Sequence, residues 1–475
     1  MLFPTIDFAI FFAVAFTVSW LLNPYPVPWK LAIIGLSYFF YAWWDWRFVL
    51  LLAASTVLAH VGAQLITRSA TPRARRAWMV VSVVCLLGLL GWFKYYGFVS
   101  SNVDNALHRV GLGQLLPVVQ PTLPVAISFF TFMALSYVID VYRRQLEPAR
   151  PLDVAVYLSF FPHLVAGPIV RGEELLPQIR RRRNPDAIDF SPAMWMIMAG
   201  LFKKVVVSSY LSANIVQPVF AAPGQHSALE VLFAAWGYAV EIYCDFSGYT
   251  DIAIGLALLL GVRFPVNFDG PYTARNLQDF WRRWHITLSR WLRDYLYIPL
   301  GGNRGSELEG ARNIMITMVL GGLWHGANWT FLIWGALHGT GQVVGHLRRE
   351  RRVRAGRAPV ADGGWRIWSE RFWTFQFVCL GWIFFNSTSV ANALDMLERL
   401  FTGWGTASPL VTPLLVLTVV AFIAVQYVPK PAVARVQRAF SYQHAVVQAA
   451  VLGGALLVIA TLGPTGVAPF IYYKF

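Results

Sequence analysis

The sequence predicts an all-α integral membrane protein, and three observations carry that fold class. Of 475 residues, 57% are hydrophobic and 13% charged, where a soluble chain carries about 25% charged residues. Many stretches approach the roughly 20 apolar residues that cross a bilayer. The basic residues gather in clusters between those stretches, as in the cytoplasmic loops of multi-pass proteins. In lipid every backbone polar group has to be bonded within its own segment, so each stretch is expected to be a helix.

The apolar segments include Phe8 to Leu22, Trp78 to Phe93, Leu123 to Ile139, Val205 to Phe220, Leu410 to Ile423 and Val446 to Leu462. Asp7 and no basic residue precedes the first, which therefore lacks the start of a cleavable signal peptide and reads as a retained span. Taking the basic clusters as cytoplasmic and starting outside, spans near 8–22, 31–45 and 48–66 reach Arg68 to Arg76, and spans around 77–93 and 122–140 return to Arg143. Residues 152–170 have basic flanks and contain Pro162, Gly167 and Pro168, which predicts a broken, re-entrant piece. Residues 314–346 contain no Asp, Glu, Lys or Arg yet are also flanked by basic sequence, so they should enter and return as a hairpin or broken helix. Two spans follow the Arg348 cluster, and a last one near 446–462 places the C-terminus outside. The expectation is a single domain over 1–475 with about eleven crossings, re-entrant pieces and both termini non-cytoplasmic.

A net charge of +15 would suggest nucleic acid in a soluble protein. Here the positives alternate with apolar spans, so anionic lipid is the expected partner and nucleic acid is not. Cys85, Cys244 and Cys379 sit in apolar surroundings without paired spacing, which argues against a disulfide framework and a zinc site. No metal ligand set and no bound cofactor is expected.

An ionisable residue inside an apolar segment is a functional hypothesis by default. His325, in Gly321-Gly-Leu-Trp-His-Gly-Ala-Asn-Trp329, is the clearest. A desolvated neutral imidazole can accept a proton from an attacking hydroxyl, but a histidine hydrogen-bonded between helices beside Trp324 and Asn328 fits the position equally. His338 would lie about 20 Å further along a continuous helix and on its opposite face, and His163 reads as structural. Phe280 to Tyr295 places Trp281, Trp284, Leu288, Trp291 and Tyr295 at helical spacing opposite Arg283, Thr287, Arg290 and Asp294. That pattern predicts an amphipathic cytoplasmic interfacial helix over 280–296, with His285 bordering its aromatic face. Glu241, Asp245 and Asp251 flank Phe246-Ser-Gly-Tyr249, which is not a nucleophile elbow because no glycine lies two residues before Ser247. These carboxylates are expected to pair with arginines.

Six blocks then resemble one family in its own order: Leu123-Pro-Val-Ala-Ile-Ser-Phe-Phe-Thr-Phe132, Phe161-Pro-His-Leu-Val-Ala-Gly-Pro-Ile-Val-Arg171, Asp245-Phe-Ser-Gly-Tyr-Thr-Asp-Ile-Ala-Ile-Gly255, Phe280-Trp-Arg-Arg-Trp-His285, Tyr297-Ile-Pro-Leu-Gly-Gly-Asn-Arg304 and Gly322-Leu-Trp-His-Gly-Ala-Asn-Trp329. The chain resembles the membrane-bound O-acyltransferases, and among them the bacterial branch containing the alginate O-acetylase membrane subunit. The resemblance implies a ring of helices around a funnel or tunnel, a catalytic histidine at His325 and a partner at His285. Trp324, Asn328, Asp245, Asn303 and Arg304 become substrate-binding or tunnel-lining candidates. Asn386 departs from the pattern, since relatives often carry arginine there. The ending Phe470-Ile-Tyr-Tyr-Lys-Phe475, in the aromatic tail 464–475, resembles one whose tyrosine carries the acyl group, which would be Tyr472; an interfacial aromatic anchor explains the same residues.

The resemblance implies transfer of an acetyl or other acyl group from a cytoplasmic thioester such as acetyl-CoA toward hydroxyls of an exported polysaccharide. A periplasmic or extracellular partner acetyltransferase would complete the transfer, and the location would be the plasma membrane of a bacterium. Two other readings stay open: D-alanyl transfer to teichoic acid from a carrier protein, and a non-enzymatic polysaccharide transporter.

Overall fold

A computed structural model describes residues 1–112, 116, 117, 119–356 and 363–463. Among them every regular element is helical. Contacts divide the chain into two compact units: Met1–Ile197 with Thr250–Pro265, and Met198–Tyr249 with Val266 onward.

The first unit holds α1 (Ile6–Leu21), α2 (Pro26–Ala42), α3 (Arg47–Arg68), α4 (Pro72–Leu90), α5 (Tyr96–Arg109), α6 (Ile127–Tyr142), α7 (Pro151–Ser159), α8 (Phe161–Leu164) and α9 (Gly172–Arg180). The starts are written locally. Proline occupies the first helical position of α2, α4 and α7, where its missing N–H costs nothing. The Thr71 hydroxyl accepts from the Ala74 N–H to cap α4, as such residues do at helix starts. α6 is buried along almost its whole length. Buried Asp153 ties α7 to its neighbours by pairing with Lys30 of α2 at 2.5 Å and Arg180 of α9 at 3.2 Å.

α10 (Phe190–Leu201) continues through π turns and the short helix α11 (Ser209–Leu211) to α12 (Gln217–Ala221), and α13 runs from Ala228 to Leu259. The second unit also holds α14 (Leu277–Arg283), α15 (Ile286–Leu292), α16 (Glu307–His325), α17 (Trp329–Arg354), α18 (Gly364–Asn386), α19 (Val390–Thr402), α20 (Pro413–Ala424), α21 (Lys430–Ser441) and α22 (Ala445–Leu462). α16 and α17 are in close contact because their crossing is built on glycine. A Cβ on Gly322 would stand 2.2 Å from the Phe331 carbonyl oxygen, and one on Gly335 would stand 2.4 Å from that of Met318. Small residues allow this backbone approach between membrane helices.

Both anticipated breaks are present. Residues 152–170 divide into α7 and α8, and 314–346 into α16 and α17, separated at Gly326–Asn328. By length and composition, five described helices suffice to cross a membrane, or six if the bent pair Pro413–Tyr427 and Lys430–Ser441 is one span. The longest buried one, Ala228–Leu259, is missing from the apolar segments read above because Glu230, Glu241, Asp245 and Asp251 interrupt it. The continuous helix expected over 280–296 is instead two short helices and a π turn, Arg293–Tyr297. The break falls at Trp284–His285, where His285 takes the left-handed conformation with φ +40° and ψ +56°. The aromatic tail and Tyr472 lie outside the described residues.

Candidate active site

Three buried histidines converge in the second unit around tryptophan rings. α16 starts with a capping box, Ser306 and Glu309 each bonding the other's backbone, and ends on His325, 2% exposed. The chain turns at Gly326, where a Cβ would stand 2.1 Å from the Phe331 ring. Asn328 then caps α17 by accepting from the Thr330 N–H at 3.0 Å. This turn brings α17 back beside α16, and Trp334 packs edge-on against His325 with ring centroids 5.1 Å apart. Phe385 of α18 lies 5.2 Å away, also at a steep angle.

The same turn corrects the expectation for His338. The helix is not continuous, so His338 sits one tryptophan ring from His325: Trp334 is 4.9 Å from His338 and 5.1 Å from His325. The Trp281 indole N–H donates to His338 Nδ1 at 3.3 Å. An indole N–H only donates, so His338 is the tautomer with its proton on Nε2. A Cβ on Gly381 would stand 2.9 Å from that nitrogen.

His285 reaches the cluster from the break between α14 and α15. It is fully buried, edge-on to Phe246 at 4.7 Å and 6.0 Å from the Trp324 ring. Trp324 is in turn 4.9 Å from His325, so its indole neighbours both histidines that the resemblance singled out. Burial pushes the His285 imidazole down to about 3, which keeps it neutral.

Asp245 sits deep in α13, 3% exposed, and pairs with Lys204. Ser208 lies at 3.5 Å from the same carboxylate oxygen, and Lys203 donates to Ser247 at 2.9 Å. Asn303 and Arg304 are exposed on the turn before α16 and stand apart from the buried cluster. His163 belongs to the first unit. Phe246, Asn267, Trp334 and Phe385 were not singled out from sequence. Their packing against the histidines depends on chain breaks that residue spacing does not reveal, although Phe246 lay within a resembling block.

Three buried histidines thus lie among aromatic rings, on a chain whose described residues include five helices long and apolar enough to cross a membrane. Residues 78–389 match the MBOAT, membrane-bound O-acyltransferase family, and the chain belongs to it. It is a multi-pass membrane O-acyltransferase. It is 39% identical over 378 residues to the probable alginate O-acetylase of Pseudomonas aeruginosa, covering 78% of this chain and 70% of that protein. It is 35% identical over 427 residues to the peptidoglycan O-acetyltransferase of Helicobacter pylori, covering 82% and 77%. The teichoic acid D-alanyltransferase of Streptococcus thermophilus is 28% identical over 330 residues, covering 62% and 79%.

Proposed function

We propose that the protein moves an acetyl group from a cytoplasmic thioester donor, acetyl-CoA by chemistry, toward hydroxyls of an exported polysaccharide. The observation that carries this reading is Trp324, whose ring packs near both His285 and His325 in a buried aromatic cluster. Two relatives named for O-acetyl transfer, each covering more than three quarters of this chain, support acetyl over other acyl groups.

In this reading His325 takes the proton of the attacking hydroxyl. The oxygen bonds to the thioester carbonyl carbon, the carbon–sulfur bond breaks, and the thiolate leaves and receives the proton from the imidazolium. His285 serves the donor side. The aromatic packing keeps water from hydrolysing the thioester. About eleven crossings surround a tunnel with both termini outside, so the acyl group crosses while the bulky donor stays within. Tyr472, in the tail beyond the described residues, receives the acyl group as an ester and passes it to the glycan or to a secreted partner acetyltransferase of the bacterial envelope.

The test is the ester content of the envelope polysaccharide in cells making His325→Ala. The protein should accumulate and alkali-releasable acetate should disappear, and unchanged acetate would overturn the assignment. Ester-linked D-alanine disappearing instead would move the chain to teichoic acid chemistry, and loss of the polymer itself would make it a transporter. Tyr472→Phe should lose the acetate if the relay operates and keep it if the tail only anchors.

A further inference from the structure

His285 is held by one residue that no motif singled out. Asn267 is fully buried, 18 positions before the histidine in the chain. Its side-chain oxygen accepts from the Thr287 N–H at 3.2 Å and the Thr287 hydroxyl at 2.9 Å, and meets His285 Nδ1 at 3.1 Å. Its backbone carbonyl accepts from the Ile286 N–H at 2.9 Å. All these contacts surround the break at which His285 adopts φ +40°, a conformation that costs a non-glycine residue energy and persists only where its surroundings impose it.

The network also settles the proton. A backbone N–H can only donate, so the Asn267 atom facing Thr287 is the amide oxygen and not the nitrogen. The same oxygen meets His285 Nδ1, and an amide oxygen can only accept. Nδ1 therefore carries the proton and Nε2 carries the lone pair. The rings of Phe246 and Trp324 pack against the imidazole in this orientation.

We infer that Asn267 is a positioning residue of the acyl transfer, locking His285 in the tautomer whose Nδ1 carries the proton and whose Nε2 presents its lone pair on the donor side. This rests on the reading that His285 serves the reaction. It adds that the nitrogen and its direction are chosen by an amide 18 residues upstream, in the manner of the third group that orients a catalytic base.

The experiment compares Asn267→Ala, Asn267→Ser and Asn267→Asp in cells, reading alkali-labile acyl ester on the envelope polymer per folded protein, alongside thermal melting of the purified chain. Aspartate still accepts from Nδ1–H and should keep at least about a third of the wild-type ester. Serine can accept from the Thr287 N–H but is too short to reach Nδ1, and it should lose ester about 100-fold at nearly unchanged melting temperature, as alanine should if it accumulates. Wild-type ester levels in the serine variant, or an aspartate variant as inactive as serine, would overturn the inference. His285→Ala separates the two readings. If it keeps full ester, both fail; if it is inactive while Asn267→Ser is fully active, only the positioning role fails.

Discussion

Two excursions of this chain look alike on paper and are built differently. Residues 152–170 and 314–346 are both apolar, both lie between basic clusters, both break at Pro or Gly, and each carries a buried histidine at the break. In the first, Pro162 has no N–H to continue α7 and the Phe161 N–H turns to the Ser37 hydroxyl at 3.2 Å. That frees the Tyr157 carbonyl, and His163 Nε2–H donates to it at 3.1 Å. His163 closes the wound of the break. In the second, Asn328 caps the start of α17, and the His325 ring packs edge-on among Trp324, Trp334 and Phe385. A histidine at membrane depth is thus a functional hypothesis only after asking whether the backbone already uses it.

The most direct way to break this contrast is to delete both rings. His325→Ala should lower acyl transfer by about 100-fold or more with little change in melting temperature. His163→Ala should leave ester formation per folded molecule near wild type while lowering stability by about 1–3 kcal/mol, the cost of an orphaned buried carbonyl. Equal losses of activity would erase the distinction.

A third way of holding a polar group inside the membrane sharpens it. Lys204 and Asp245 are 1% and 3% exposed and lie on two of the helices long enough to cross. Asp245→Leu strands a buried ammonium and should cost about 3–5 kcal/mol, whereas Lys204→Met with Asp245→Leu should recover most of it. Thermal melting of the single and double variants in detergent reads this. A double variant as unstable as the single would mean that the pair's other neighbours hold the charge. Smaller still, Asn328→Ala should cost about 1 kcal/mol as a lost helix cap, and a larger loss with falling activity would mean that the cap also holds His325.

How much of this was legible follows the same division. Composition and charge clusters announced helices, and Pro162, Gly167, Pro168 and the uncharged run 314–346 announced the breaks, because these are local properties of backbone and solvent. The 32-residue helix α13 went unread as a span because its carboxylates looked too costly for lipid, and only the fold supplies Lys204 as the partner of Asp245. The 280–296 stretch has helical periodicity throughout, yet it breaks at His285, where contacts from Asn267 outweigh propensity. The same long-range contacts hid Asn267 and the neighbourhood of His338.

A pH-dependent effect concerns how His285 tolerates acid. His285 is held near 3 in the folded chain and titrates near 6.5 when unfolded. Between those values the unfolded chain binds a proton that the folded chain does not, so stability rises with pH across that window and is lost as pH falls below about 6.5. His285→Gln removes this proton uptake. The melting-temperature advantage of wild type over His285→Gln should therefore shrink or reverse between pH 7 and pH 5, and should stay flat from pH 7 to pH 8. An advantage that is constant down to pH 5 would mean that the folded chain protonates this ring in place, which a neutral buried acceptor does not do.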